Sequence, residues 1–119
     1  MDIKHVLDGI DAGITICDTS LTITYMNRKA TSVFSPDGTS LTGTSLIPCH
    51  KPSSVEKIRT ILESGIPNVY TITKQGRKKL IWQAPVRDDS GMIIGVAELS
   101  LPLPDAMPHY DRDREQTQQ

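Results

Sequence analysis

Residues 68–101 read NVYTITKQGRKKLIWQAPVRDDSGMIIGVAELSL and decide the fold. β-Branched and aromatic residues are frequent in three segments of this stretch, 68–74, 78–87 and 92–101. Such segments are typical of strands. Gln75-Gly76 and the sequence DDSG at 88–91 fall between them and predict hairpin turns. The stretch therefore predicts an antiparallel meander, in which Pro85 indicates an edge position or a bulge.

The residues before this meander give a second hairpin and several helices. Apolar residues spaced by three and four predict a short helix over 2–11. Segments 14–17 and 22–26 alternate apolar and polar residues, which predicts two strands and a turn. Asn27 follows the second strand and is a favoured N-cap for a helix over 28–34.

A longer helix is predicted over residues 53–64. Ser53 and Glu56 have the spacing of a capping box. Gly65 supplies the left-handed position that commonly ends a helix, and Pro67 prevents continuation. The whole order is helix, two strands, short helices, long helix and three strands. It predicts an α+β fold in which helices cover one face of an antiparallel sheet.

Composition narrows the class of protein. A chain of 119 residues fits one domain, and its net charge of −1 gives no reason to expect nucleic acid. No apolar run approaches the ~20 residues that span a bilayer, and no signal peptide is evident. We therefore expect a cytoplasmic protein that does not bind membranes, with Cys17 and Cys49 as free thiols. The polar segment 102–119 is expected to be a tail beyond a folded domain at 1–101.

Three segments in this order resemble a PAS domain. Residues 8–18 (DGIDAGITICD) resemble the entry to the first PAS strand, and 23–27 (ITYMN) resemble the second. Residues 85–96 (PVRDDSGMIIGV) resemble the last hairpin. Residues 49–58 (CHKPSSVEKI) resemble a bacterial subgroup of small PAS domains with a Cys-His-x-Pro motif before the long helix.

The resemblance implies a five-stranded antiparallel sheet of order 2-1-5-4-3 with helices on one face. PAS domains can hold haem, flavin or a small metabolite between sheet and helices, or close that cavity and act as dimerisation modules. On this basis we expect a sensory, signal-transducing domain that binds a small ligand beside the 53–64 helix. The candidate cavity-lining residues are Ile16, Phe34, Leu46, His50, Ile58, Leu62, Tyr70, Trp82 and Val96.

Two alternatives remain open for the cavity. The first is a ligand-free interaction module that dimerises through the N-terminal helix and the sheet. The second is a haem sensor in which His50 ligates the iron, although His50 can equally structure the entry to the helix. The cofactor is therefore none, a small ligand or haem.

The expected partners are a second copy of the chain and a downstream signalling protein. No catalytic triad, phosphate-binding loop or zinc-binding spacing is present in the sequence. We therefore expect neither an enzyme nor a metal site.

Overall fold

The computed structural model describes residues 1–35 and 37–116, with only the backbone for Cys49, Glu115 and Gln116. Its helices are α1 (Ile3–Asp8), α2 (Arg28–Phe34), α3 (Pro52–Ser64) and α4 (Arg112–Gln116), with a 3₁₀ turn at Ile47–Cys49. Its strands are β1 (Gly13–Asp18), β2 (Ile23–Met26), β3 (Asn68–Lys74), β4 (Arg77–Arg87) and β5 (Ile93–Pro102).

The five strands form one antiparallel sheet in the order β2-β1-β5-β4-β3. Pairing of β1 with β5 joins the first hairpin to the last three strands. Helix α2 packs on β1, and α3 packs on β4 and β5. The predicted α+β class and strand order are confirmed.

Helix α3 supplies much of the core because its apolar residues recur every three or four positions. Val55, Ile58 and Ile61 are buried against the sheet. The predicted capping box is wrong, because the helix begins one residue earlier with Pro52, whose fixed φ suits the first helical turn. Gly65 ends the helix in the left-handed conformation, as predicted (φ 72°).

The turns of the meander also follow the sequence. Gln75 and Gly76 both have positive φ, 53° and 74°, which is the geometry of a two-residue hairpin turn. Pairing of β3 with β4 reaches only as far as Gln83, so β4 has no β3 neighbour at Pro85. A register shift follows at Val86, which confirms the predicted edge position and irregularity.

The predicted boundary at residue 101 falls inside β5. The strand continues to Pro102, and the Leu103 N–H then donates a 2.9 Å hydrogen bond to the Lys78 carbonyl. Within residues 1–35 and 37–116, no helix is long and apolar enough to cross a membrane.

Candidate functional site

Alternation along the strands gives the sheet two chemically different faces. Cys17 on β1 and Val96 on β5 are register partners and belong to the buried core. The next pair, Ile16 and Ala97, points the other way because successive side chains alternate across a strand. We call the side facing α3 the inner face and the opposite side the outer face.

Four polar side chains cross the inner face in one line. This polar row consists of Thr15 on β1, Glu98 on β5, Gln83 on β4 and Asn68 on β3, each the register partner of the next. The Asn68 Nδ2 group donates to Gln83 Oε1 at 2.9 Å, and Gln83 Nε2 donates to Glu98 Oε1 at 3.3 Å. Thr15 and Gln83 are buried, at 7% and 3% exposure, whereas Asn68 and Glu98 are only partly buried.

Glu98 gives the polar row its charge. A carboxylate can only accept hydrogen bonds, and no Lys or Arg in the described part of the chain forms an ion pair with it. The Glu98 carboxylate also contributes to the pKa shifts of two neighbouring side chains. Burial first, and then the Glu98 carboxylate, raises the pKa of the Tyr70 hydroxyl. Burial likewise raises the pKa of the Cys17 thiol, with smaller contributions from the carboxylates of Asp18 and Glu98.

A small cavity lies between the polar row and α3. Its volume is about 10 Å³, which is the space that one water molecule requires. The lining residues are Thr15, Cys17, Leu46, His50, Ile58, Gln83, Val96 and Glu98. Half of the lining residues are polar or charged, but the wall that faces the cavity is mainly apolar.

His50 is fixed at the edge of this cavity. Its Nδ1 atom lies 3.0 Å from the Leu46 carbonyl oxygen, which can only accept, so Nδ1 carries a proton. The Phe34 ring stacks on the imidazole, with centroids 5.4 Å apart and an interplanar angle of 27°. Haem does not fit this arrangement, since the enclosed space is far below the ~300 Å³ of even a small ligand pocket.

The outer face is apolar and largely uncovered. Ile14, Leu99, Trp82 and Val69 are successive register partners across four strands. Trp82 is 43% exposed and Val69 45% exposed. The face continues with further outward-pointing apolar residues: Ile16, Leu80, Ala84, Val86, Ala97 and Leu101.

Helix α1 adds more exposed apolar surface. Ile3 and Val6 are exposed, and none of the six residues of the helix is buried. Tyr25 on β2 pairs with Ile16 and so belongs to the outer face. Burial, and then the Asp8 and Asp2 carboxylates, raises the pKa of the Tyr25 hydroxyl, which places the two ends of α1 near this ring.

The family model of the PAS fold matches residues 7–108. The chain belongs to the PAS-fold family. No curated protein sequence matches this PAS domain. Its resemblance to a subgroup with a Cys-His-x-Pro motif stays a prediction, and the Cys49 side chain lies outside the described part of the chain.

Several solved structures share this fold at low sequence identity. A C-terminal domain from Streptococcus mutans is 20% identical, with a TM-score of 0.68 over 84% of this chain and 81% of that one. A sensory box sensor histidine kinase from Vibrio cholerae is 16% identical, with a TM-score of 0.60 over 86% and 90%. The Aer2 receptor from Vibrio cholerae, described as a dual PAS-heme oxygen sensor, is 18% identical, with a TM-score of 0.60 over 82% and 98%.

The PAS domain brings together some of the sequence-predicted site residues. Leu46, His50, Ile58 and Val96 line the cavity. Phe34 and Leu62 pack against the adjoining core. Tyr70 faces α3, with Lys57 Nζ 5.9 Å from the centre of its ring, but it does not line the cavity.

Two predicted lining residues lie elsewhere. Ile16 and Trp82 are on the outer face, because their strand neighbours Cys17 and Gln83 point inward. The prediction that these two line the cavity is therefore corrected. Both strands carry apolar residues on both faces, so apolar character alone cannot tell which side is covered.

The sequence prediction missed the polar members of the site. Thr15, Gln83 and Glu98 all line the cavity, yet each is polar within an otherwise apolar strand. That interruption is the signal that could have identified them. Cys17 is a free thiol, as predicted, and its 3% exposure places it in the core.

Proposed function

We propose that this PAS domain is a sensory module that binds a small ligand at the polar row and signals by protein association through its outer face. One observation carries the proposal: a single sheet has an ionisable polar row on one side and an uncovered apolar surface on the other. A domain with only a structural role gains nothing from either feature, since a partly buried carboxylate without an ion pair and an exposed apolar area both cost free energy.

The covalent chain connects the two faces directly. Each central member of the polar row is followed or preceded by an outer-face residue: Thr15 by Ile16, Glu98 by Leu99, and Gln83 by Trp82. A ligand that favours one orientation of a strand therefore changes the outer surface that a partner contacts. Such a ligand acts by its different affinity for the two arrangements.

The second candidate function is a ligand-free association module, and the cavity volume of about 10 Å³ favours it. A ligand larger than a water molecule would require α3 or the segment containing His50 to move. Native mass spectrometry of freshly purified protein separates the two functions, since it reports bound mass and oligomeric state together. A bound small molecule supports the sensor, and repeated recovery of bare protein supports the module.

Haem binding is not part of the proposal. The enclosed space and the packing of His50 against Phe34 argue against it. Protein produced with haem available should show no Soret band, and a stoichiometric band that His50→Ala abolishes would reverse this conclusion. We also propose that the domain acts by binding rather than by catalysis.

The association half of the proposal is tested through Trp82, which lies near the centre of the outer face and is the single tryptophan of the chain. We expect a homodimer, whose contact surface would include α1. Sedimentation velocity across a concentration series should show a dimer for the wild type and a monomer for Trp82→Glu. Tryptophan emission should shift to the blue as the wild-type dimer forms.

A matched control uses a second exposed apolar residue. Ile66 is 68% exposed but lies between α3 and β3, outside the outer face. Ile66→Glu should leave the dimer intact. A strictly monomeric wild type at high micromolar concentration, or equal weakening by both variants, would refute the use of the outer face for self-association.

A further inference from the structure

The two edges of the sheet differ in what covers them. The edge at β2 is closed by the chain itself, because the Ile23 N–H donates to the Thr44 carbonyl at 2.8 Å and the Gly43 N–H to the Ile23 carbonyl at 2.7 Å. The Leu46 N–H continues this pairing with a 2.9 Å bond to the Leu21 carbonyl. At the opposite edge, β3 pairs with β4, and no other segment of the described chain pairs with it. Such an open edge is a place where another extended chain can pair.

The turn between β3 and β4 identifies which backbone groups of β3 face solvent. Lys74 and Arg77 flank this two-residue turn and are register partners, so they exchange backbone hydrogen bonds. Bonding to a neighbouring strand alternates along an antiparallel strand. Val69, Thr71 and Thr73 therefore direct their N–H and carbonyl groups away from β4, and all three residues are exposed. None of these backbone groups bonds to another described residue, so they are available to an added strand.

The devices that commonly protect an edge are weak in β3. Short length, bulges, prolines and charged side chains all discourage pairing with another chain. The strand has seven residues, contains no proline and pairs with β4 without a bulge. Residues 68–73 carry no charge, and Lys74 stands at the end of the strand. The length and composition of β3 therefore allow pairing along most of the edge.

The charge of the hairpin formed by β3 and β4 selects the partner. Residues 68–87 contain five Lys and Arg residues and no Asp or Glu, in a chain whose net charge is −1. The five are Lys74, Arg77, Lys78, Lys79 and Arg87. None of them forms an ion pair with a described residue. A second copy paired edge to edge would bring two such hairpins together against their repulsion, whereas an acidic segment would be attracted.

We propose that the open edge of β3 accepts an extended acidic segment of a partner protein as an added strand. Side chains of that strand on the inner side would lie beside Lys74 and beside Lys57 of α3, whose Nζ is 5.9 Å from the centre of the Tyr70 ring. Side chains on the other side would lie beside Val69 at the border of the outer face. The segment should therefore alternate acidic and apolar residues. This interaction goes beyond the proposed function, since it requires neither a ligand in the cavity nor self-association.

The test uses a capped peptide as long as β3 with alternating glutamate and valine, and backbone amide NMR as the readout. The outward N–H groups of Val69, Thr71 and Thr73 should shift and exchange more slowly when they gain acceptors, while the amides bonded to β4 change less. We expect saturable binding with a dissociation constant on the order of 0.1 mM, because a short peptide must order its backbone on binding.

Two control peptides separate strand pairing from charge attraction alone. The same sequence methylated at every peptide nitrogen keeps the charge but lacks the N–H donors. A lysine–valine peptide keeps the alternating pattern but inverts the charge. Each should bind about tenfold more weakly or worse, the first through lost hydrogen bonds and the second through repulsion.

Variants assign the effect to the edge. Lys74→Glu should weaken binding of the glutamate–valine peptide about tenfold, because it reverses a charge beside the added strand. Lys4→Glu, an exposed position on α1, is the matched control and should bind like the wild type. Thr71→Pro removes the central outward N–H at a position where an edge strand tolerates proline, and it should weaken binding about tenfold or more. Dispersed spectra verify that each variant is folded, and the Lys74 comparison decides the question if Thr71→Pro is not.

Several outcomes would overturn the inference. These are no saturable shift with the glutamate–valine peptide, equal binding of the methylated peptide, or equal weakening by Lys74→Glu and Lys4→Glu. If the outward amides become protected in the free protein as its concentration rises, β3 pairs with a second copy and the acidic partner is wrong. The sedimentation test of the outer face contains no peptide, so failure at the β3 edge is distinguishable from failure of the proposed function.

Discussion

Asn27 is predicted to contribute much more to stability than an ordinary helix cap. Its Oδ1 atom accepts from the Ala30 N–H at 3.1 Å, which is the expected cap of α2, and also from the Ile14 N–H at 2.9 Å. Its Nδ2 group donates to the carbonyls of Leu7 at 2.9 Å and Ala12 at 2.7 Å. One side chain therefore connects α1, the segment before β1, β1 itself and α2.

The expected magnitude follows from these contacts. A cap alone contributes about 1 kcal/mol. Asn27 is 0% exposed, so Asn27→Ala removes four hydrogen bonds and leaves two N–H groups and two carbonyls unsatisfied in the interior. At about 0.5–1.5 kcal/mol for each bond, the loss is about 2–6 kcal/mol. This is a large fraction of the roughly 5–15 kcal/mol that stabilises a typical domain.

Urea denaturation followed by circular dichroism measures this loss as a change in the free energy of unfolding. Asn68→Ala is the matched control, because the Asn68 side chain makes one hydrogen bond, to Gln83. It should cost about 1 kcal/mol. Asn27→Asp preserves the acceptor but places an oxygen against the Leu7 and Ala12 carbonyls, so it should also be strongly destabilising.

Hydrogen exchange separates the connecting role from simple destabilisation. In Asn27→Ala, the amides of Ile14 and Ala30 should exchange faster than the amides of β4 under conditions where the domain is still folded. A cost of about 1 kcal/mol or less, or a cost equal to that of Asn68→Ala, would show that Asn27 is only a cap. The four-way connection would then contribute nothing measurable.

Two further predictions concern buried residues of β1 and the following turn. Leu21 is 1% exposed and has a positive φ of 63°, a conformation that glycine adopts without strain, so Leu21→Gly should be no less stable than Leu21→Ala. At Ile58, which is helical, the glycine variant should instead be less stable than the alanine variant by about 1 kcal/mol. The same order at both sites in urea denaturation would contradict the strain at Leu21. Burial raises the pKa of Cys17 above 9.0, so its contribution to stability is present below pH 9.0 and decreases as pH rises further. Cys17→Ala should therefore lose stability less steeply above pH 9.0, and equal slopes would exclude this linkage.

The strand order was predictable because local signals mark every boundary of the sheet. The Gln75-Gly76 turn requires positive φ at both residues, and the sequence supplies a glycine at the more demanding position. Asn27 is both the end of β2 and the cap of α2, so one residue fixes two boundaries. Short connections then require antiparallel pairing. Each of these signals depends on residues that are close together in the sequence, so long-range contacts do not alter what it predicts.

The lining of the cavity was less predictable because it depends on long-range register. Residues 14–17 read Ile-Thr-Ile-Cys, and either alternating pair could have faced inward. Which of the two pairs faces inward is determined by the pairing of β1 with β5, about 80 residues away, and by the packing of α3 on the inner face. Pairing with β5 directs Thr15 and Cys17 to the interior and leaves Ile16 outside. Sequence hydrophobicity favoured the opposite assignment.

On the proposed sensor function, the strength of signalling is limited by the free energy that ligand binding supplies. A ligand that binds only one arrangement of the sheet, at ten times its dissociation constant, stabilises that arrangement by about 1.4 kcal/mol, or about tenfold in population. On the proposed sensor function, a small ligand in the cavity would therefore change the association constant of the outer face by about tenfold under these conditions. A modest, graded change in association is the response that a site of this size can produce.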